Sequence, residues 1–245
     1  MASERSVRCG EMLHREETGS GPPLVTVHGA WADGRHWTRL ARELAGTFRV
    51  TTYDRRGHGR SGGEHTTIGD DVGDLAGLLA QLGEPAHVVG GSLGGAIALR
   101  AAARDRSAFL TLAVHEPALA PPGSAAPRPP AELPSPREFA EQSLGAGAWD
   151  TLTGDERAAF EDNGAAWRVE IAEASAFDTG TLAAFERPLL VTIGGDSPPF
   201  WRQVAETIPG ARIATIPGAG HLPHLTHARA YAELLRDFAS AARPN

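Results

Sequence analysis

Lysine is absent from the 245-residue sequence, and all 23 cationic side chains are Arg. Any mechanism that needs a side-chain primary amine, through a Schiff base or a Lys general acid, is thereby excluded. Cysteine occurs once, at Cys9. There is no second thiol for an internal disulfide or a thiol-rich metal site, so a reducing compartment is the default. No cationic run appears and the formal net charge is −7, which excludes the electrostatic footprint of nucleic-acid binding and disfavours an anionic membrane surface. Long apolar runs are missing too. The opening residues Met1-Ala2-Ser3-Glu4-Arg5 carry both signs of charge and lead into no apolar segment, so neither a signal peptide nor a membrane anchor is expected, and the expected location is cytoplasmic. What is present, 41% hydrophobic and 22% charged residues, is enough for one large core or two small ones. The abundance of Ala, Gly, Arg and Pro reads as the codon bias of a GC-rich genome rather than as chemistry.

Short apolar runs alternate with helical patterns along most of the chain, the signature of a parallel sheet covered by helices on both faces. The runs Leu24 to Val27, Phe48 to Tyr53, Ala86 to Gly90, Phe109 to His115, Leu189 to Ile193 and Ala211 to Ile216 predict buried strands. Helices are predicted over Gly34 to Ala45, Thr66 to Leu82, Gly94 to Arg104, Pro199 to Ile208 and Thr226 to Ala242. In the last, Ala228, Tyr231, Leu235, Phe238 and Ala242 recur at three- and four-residue spacing and form one apolar stripe. The first 20 residues are expected to add one or two short antiparallel edge strands. The alternation breaks between Pro117 and Arg187, where a Pro-rich stretch precedes helical patterns at Arg137 to Leu144 and Glu156 to Ala176. Seventy residues without a strand exceed a simple crossover, and an insertion of that size at the carboxyl edge of a parallel sheet usually covers a ligand site.

Residues Gly90-Gly91-Ser92-Leu93-Gly94 fit G-x-S-x-G between a predicted strand and a predicted helix. A Ser on such a turn needs small neighbours because flanking backbone passes close, and the helix N-terminus behind it favours developing negative charge. After the strand Leu24 to Val27 comes His28-Gly29-Ala30-Trp31. With these two motifs the chain resembles the α/β-hydrolase superfamily over essentially its whole length. The resemblance implies a mostly parallel central sheet of about eight strands with helices on both faces. It implies a core made of residues 1–116 and 188–245 and a helical cap over 117–187. The backbone N–H groups of Ala30 and Leu93 would then form an oxyanion hole, with Trp31 lining the acyl pocket. Tyr53-Asp54-Arg55-Arg56-Gly57-His58-Gly59-Arg60-Ser61 resembles the family's D-x-R-G-x-G-x-S stretch and is assigned a structural role, His58 included.

Ile216-Pro217-Gly218-Ala219-Gly220-His221 places a His after the last strand and before the last helix, where the family carries its general base. Neutral imidazole can take a Ser proton and return it to a leaving group near neutral pH. His224 lies close enough to be a substrate-binding candidate, whereas His14, His36, His65, His87 and His115 read as ordinary surface or core residues. No nearby carboxylate or Cys completes a metal set around His221, His224 and His227, and no metal or other cofactor is called for. The acid departs from the family pattern. The usual G-x-x-D spacing after Leu189 to Ile193 falls on Ser197, with Asp196 one position early in a Gly-Gly turn that can absorb a shift. The alternative is Glu116, at the tip of the preceding strand, and both stay open. Together these residues predict acyl transfer through a Ser92 acyl-enzyme on an ester or thioester of a small apolar or aromatic acyl group. The acceptor is left open between water, as in an esterase or thioesterase, and a second substrate, as in an acyltransferase. A carrier protein is a conceivable acyl donor, and a monomer or homodimer is compatible. A Ser in the nucleophile position speaks against haloalkane dehalogenases and epoxide hydrolases, and the missing Lys against cyanohydrin lyases. A non-catalytic binding protein on the same fold is the alternative of a different class.

Overall fold

The computed structural model describes residues 13–64, 67–121, 123–124, 132–167, 170, 173 and 176–242. Seven strands form one sheet: β1 (Arg15–Thr18), β2 (Pro23–Val27), β3 (Arg49–Tyr53), β4 (Ala86–Gly91), β5 (Phe109–His115), β6 (Leu189–Gly194) and β7 (Arg212–Ile216). Their order is β1-β3-β2-β4-β5-β6-β7. Only β1 runs antiparallel to its neighbour. The described residues thus contain seven strands rather than about eight. Residues 1–12, where a further edge strand was expected, lie outside the described residues, as does Cys9.

Burial explains the sequence patterns. All residues of β2, β4 and β6 are buried, because helices cover both faces, so these strands read as continuous apolar runs. The edges differ. β1 is Arg-Glu-Glu-Thr and fully exposed, and charge on an edge strand discourages pairing with another chain. Helices α1 (Thr38–Leu44), α2 (Ile68–Gln81), α3 (Leu93–Arg104), α4 (Pro136–Leu144), α5 (Gly154–Asp162), α6 (Phe200–Glu206), α7 (Pro223–Thr226) and α8 (Ala228–Ala241) follow in chain order. One face of the sheet packs on α1 and α8 through Leu40, Leu44, Tyr231, Leu235 and Phe238. The other packs on α2, α3 and α6 through Leu75, Ile97, Leu99 and Val204. One predicted helix is divided, with Gly34–Trp37 a 3-10 turn ahead of α1. The helix predicted over Thr226 to Ala242 is α8, and the short α7 precedes it, stopping at His227 (φ −130°). No described helix is long and apolar enough to cross a membrane.

The strand order reverses between β2 and β4, and a crevice opens there at the carboxyl ends of parallel strands. Between His115 and Leu189 no strand occurs among the described residues. Both α4 and α5 begin with reciprocal capping boxes, Ser135 with Glu138 and Thr153 with Glu156, which satisfy amide groups that a helix start leaves free. The helical stretch predicted from Glu156 is interrupted: α5 ends at Asp162, and Trp167, Glu170 and Glu173 are helical again. Beyond Asp162 the chain passes so close over Trp31 that a Cβ at Gly164 would lie 2.5 Å from the indole ring.

This insertion is fastened by polar ties along one rim. Arg39 holds the Glu156 carboxylate at 2.6 Å, Arg35 reaches Asp162 at 2.7 Å, and Asn163 donates to Asp33 at 3.0 Å while accepting from the Gly59 amide at 2.8 Å. The deepest tie is Arg55. Its guanidinium, 1% exposed, donates to Asp71 at 2.9 Å and to Glu170 of the insertion at 2.6 Å. Burial acts to raise the Glu170 pKa, but Arg55 and His58 outweigh it and bring it down to about 2.

Candidate active site

Ser92 joins β4 to α3 with φ 51° and ψ −120°, a left-handed conformation that non-glycine residues rarely adopt. It is held from both sides. Its amide donates to the His115 carbonyl at 2.9 Å, and its own carbonyl accepts from Ala118 at 3.0 Å. The glycines around it are sterically required: a Cβ at Gly90 would lie 2.6 Å from the Gly94 carbonyl oxygen, and one at Gly94 only 2.1 Å from that of Val27. We expect Gly94→Ala to destabilise the fold by about 3 kcal/mol, since rigid backbone cannot yield to overpacking. A urea titration reads the change in midpoint, and an unchanged midpoint would refute the close approach of α3 to β2.

The loop after β2 lies against this turn. His28 is buried; its Nε2 accepts from the Arg55 amide at 2.8 Å, which leaves Nδ1 to donate to the Gly29 carbonyl at 2.9 Å. A Cβ at Gly29 would sit 3.3 Å from the Ser92 Cβ and 3.7 Å from the Leu93 nitrogen, so this position must stay bare for the two segments to approach. Ala30 lines the same small cavity as Ser92, and Leu93 is buried at the first position of α3.

His221 follows β7, and its Nδ1 lies 2.7 Å from Glu116 Oε2. Glu116 is fully buried, with φ 42°, and its other carboxylate oxygen accepts from the Gly194 amide at 2.8 Å. Burial would raise the Glu116 pKa, but the His221 hydrogen bond, the neighbouring His115 ring and the Ser197 hydroxyl hold it below the usual carboxylate value. Asp196 is elsewhere. Its side chain is exposed and makes no hydrogen bond or ion pair to His221, while its amide donates to the Ala219 carbonyl at 3.0 Å. The Gly pair that offered room for a one-residue shift has none, because a Cβ at Gly194 would lie 2.4 Å from the Ala219 carbonyl oxygen. Of the two candidate acids the structure brings Glu116, not Asp196, to His221.

Ser92, Ala30, His221 and His224 line one cavity of about 20 Å³, together with Gly29, Ala32, His36, Gly91, Phe139, Phe160 and Leu222. Ser92 and His221 both line it, with no hydrogen bond between their side chains. Trp31 does not line this cavity. It is buried beneath the insertion with its ring stacked on Phe139 at 4.8 Å, so its contacts are those of packing. Among the described residues no three His, Cys, Asp or Glu side chains are arranged to hold a metal ion.

Several neighbours escaped sequence reasoning. His115, read as an ordinary residue, is buried beside Glu116 at 3.6 Å, and burial pushes its pKa down to about 4. His36 lines the cavity although it lies outside the motifs, five residues beyond Trp31. Trp201 of α6 stacks on the His221 ring at 5.1 Å and 19°. Only the His115-Glu116 adjacency at a strand tip offered a local signal; the other two depend on tertiary placement.

Residues 24–234 match the family model described as the alpha/beta hydrolase family. The chain belongs to that family. Among its hydrolase relatives is the pimeloyl-[acyl-carrier protein] methyl ester esterase of Stenotrophomonas maltophilia, 28% identical over 95% of this chain and 98% of that protein. Lipase LipV of Mycobacterium tuberculosis is 41% identical, over 46% of this chain and 44% of its own. The chain likewise spans under half the length of other curated relatives that it matches, 42% of one and 39% of another. An alpha/beta hydrolase from Sphaerobacter thermophilus shares the fold with a TM-score of 0.71 and 28% identity, over 92% of this chain and 95% of that one. Esterases and a lipase are thus among the proteins that this chain resembles.

Proposed function

We propose that the protein is a serine esterase that cleaves esters of a small acyl group through an acyl-enzyme on Ser92, with residues 117–187 as its cap. The observation that carries this reading is the 2.7 Å contact of His221 with a buried, ionised Glu116, beside a Ser on a strained strand-to-helix turn. In the first half-reaction Ser92 Oγ attacks the ester carbonyl carbon and its proton passes to His221 Nε2. The carbonyl oxygen, now negative, is met by the Ala30 and Leu93 N–H groups, which need no reorganisation as the charge forms. Collapse of this adduct breaks the C–O bond, and the alcohol leaves with the proton from His221. Water then repeats the sequence on the acyl-enzyme, releasing the acid and restoring Ser92. Glu116 holds His221 with its proton on Nδ1 and stabilises the imidazolium that forms twice per cycle.

The test is intact mass after exposure to a small fluorophosphonate. The wild-type chain is expected to gain one adduct and the folded Ser92→Ala variant none; an adduct on both, or on neither, overturns the Ser92 assignment. A second reading, in which a carrier protein presents the acyl group, draws on the end-to-end likeness to an esterase whose name specifies such a substrate. Under that reading a carrier-bound ester is hydrolysed faster than the same ester free in solution, and equal rates count against it.

A further inference from the structure

Two histidines in the Ser92 cavity take no part in the steps above. His36 is fully buried, and its Nε2 contacts the Glu156 carbonyl oxygen at 2.9 Å. A carbonyl only accepts, so Nε2 carries the proton; burial keeps the ring neutral, and Nδ1 is left as an acceptor. That nitrogen is buried and has no protein partner. His224, 4% exposed, stacks on Trp37 at 4.3 Å and 16°, and its Nδ1 likewise is buried without a protein partner. Its Cε1 lies 3.8 Å from the position of a Cβ on Gly91, the residue before Ser92. Burial, reinforced by the nearby His36, His115 and His221, holds its pKa well below the ordinary value. Desolvated ring nitrogens without partners are costly, and a cavity lined by both rings and by Ser92 is matched to a ligand that supplies their partners.

We infer that His36 and His224 recognise a hydroxyl on the acyl group, next to the ester carbonyl, so that the preferred substrates are esters of hydroxy acids. With the His224 proton on Nδ1, a hydroxyl donates its own proton to His36 Nδ1 and accepts that of His224, satisfying both rings at once. Several other small polar groups fit less well. A ketone or a carboxylate has no proton to give His36, and an ammonium would be buried against neutral rings with no counter-charge. The cavity of about 20 Å³ has room for one water-sized group, so a bound ester extends beyond it.

This inference rests on the Ser92 esterase reading, and its test separates the two. Hydrolysis of methyl lactate, as each enantiomer, and of methyl propionate is followed by pH-stat, each kcat/KM divided by the hydroxide-catalysed rate of the same ester. Wild type is expected to favour one lactate enantiomer by about 10-fold or more, the effect of one or two hydrogen bonds. In His224→Phe, whose ring keeps the stack on Trp37, that preference falls by about 10-fold, and in His36→Phe it falls similarly. The His224 variant leaves the Glu156 contact untouched, so the prediction survives misfolding of the His36 variant. Equal corrected rates in wild type, or a preference unchanged by His224→Phe, overturn the inference and mean that the rings hold a bridging water only, with the esterase reading intact. Failure of fluorophosphonate labelling together with no turnover of any ester removes both.

Discussion

Glu116→Gln is expected to lower kcat by about 10⁴-fold with little change in KM, while Asp196→Asn stays within about twofold of wild type. The size of the effect comes from what the glutamine amide must do in this pocket. The Gly194 amide donates to Glu116 Oε1 and has to be met by an acceptor, so the Gln carbonyl oxygen takes that place. The Gln NH₂ then faces His221 Nδ1, where the carboxylate accepted. Nδ1 can meet a donor only in its unprotonated form, so the ring's proton moves to Nε2, and His221 loses the lone pair that takes the Ser92 proton. The imidazolium also loses its counter-charge. Steady-state kinetics on one ester with both variants decides the matter: a large loss in Asp196→Asn and a small one in Glu116→Gln would transfer the role to Asp196.

Arg55→Leu should destabilise the fold by about 3–5 kcal/mol at neutral pH, because it takes the buried guanidinium counter-charge away from Asp71 and Glu170. The loss is expected to shrink in acid, and the sign follows from Glu170. Its pKa in the folded protein is about 2 against an ordinary 4.5. The stabilisation is therefore complete above about pH 4.5 and fades as pH falls toward 2, as proton uptake by the unfolded chain catches up. The variant lacks that stabilisation throughout. Urea midpoints of both proteins at pH 7 and near pH 3 should converge; a gap of constant size would show that Glu170 is not held by Arg55.

The central strands, the Ser92 turn and the His221 loop were legible because each is encoded locally, by an apolar run closed with glycines at fixed offsets. The choice between Glu116 and Asp196 was not, because it depends on how tightly Gly194 and Gly195 pack against residues 216–220, which neither segment reveals alone. Arg55 could be assigned a structural role from its loop, yet its partners Asp71 and Glu170 lie 16 and 115 residues away. The histidines show the same limit. His36 carries no local mark, since what sets it apart is a cavity wall built with residues from distant parts of the chain, whereas His115 had a faint one in the adjoining Glu116. The interruption after α5 was legible but passed over, since Asn163-Gly164 is a local turn signal within the predicted helical stretch.

Trp31, Ser92 and Glu116 are the only non-glycine residues with positive φ among the described residues, and all three belong to the loops that surround His221 and the turn after β4. Conformations of this kind cost on the order of 1–3 kcal/mol each. A thermostability screen that scores melting alone will accordingly be drawn to Gly at positions 92 and 116, where it would remove the chemistry as it raised the melting temperature, whereas at position 31 the cavity left by the buried indole outweighs the strain relieved. Directed evolution of this scaffold therefore calls for an activity filter at every round, with stabilising changes sought far from the carboxyl ends of the strands.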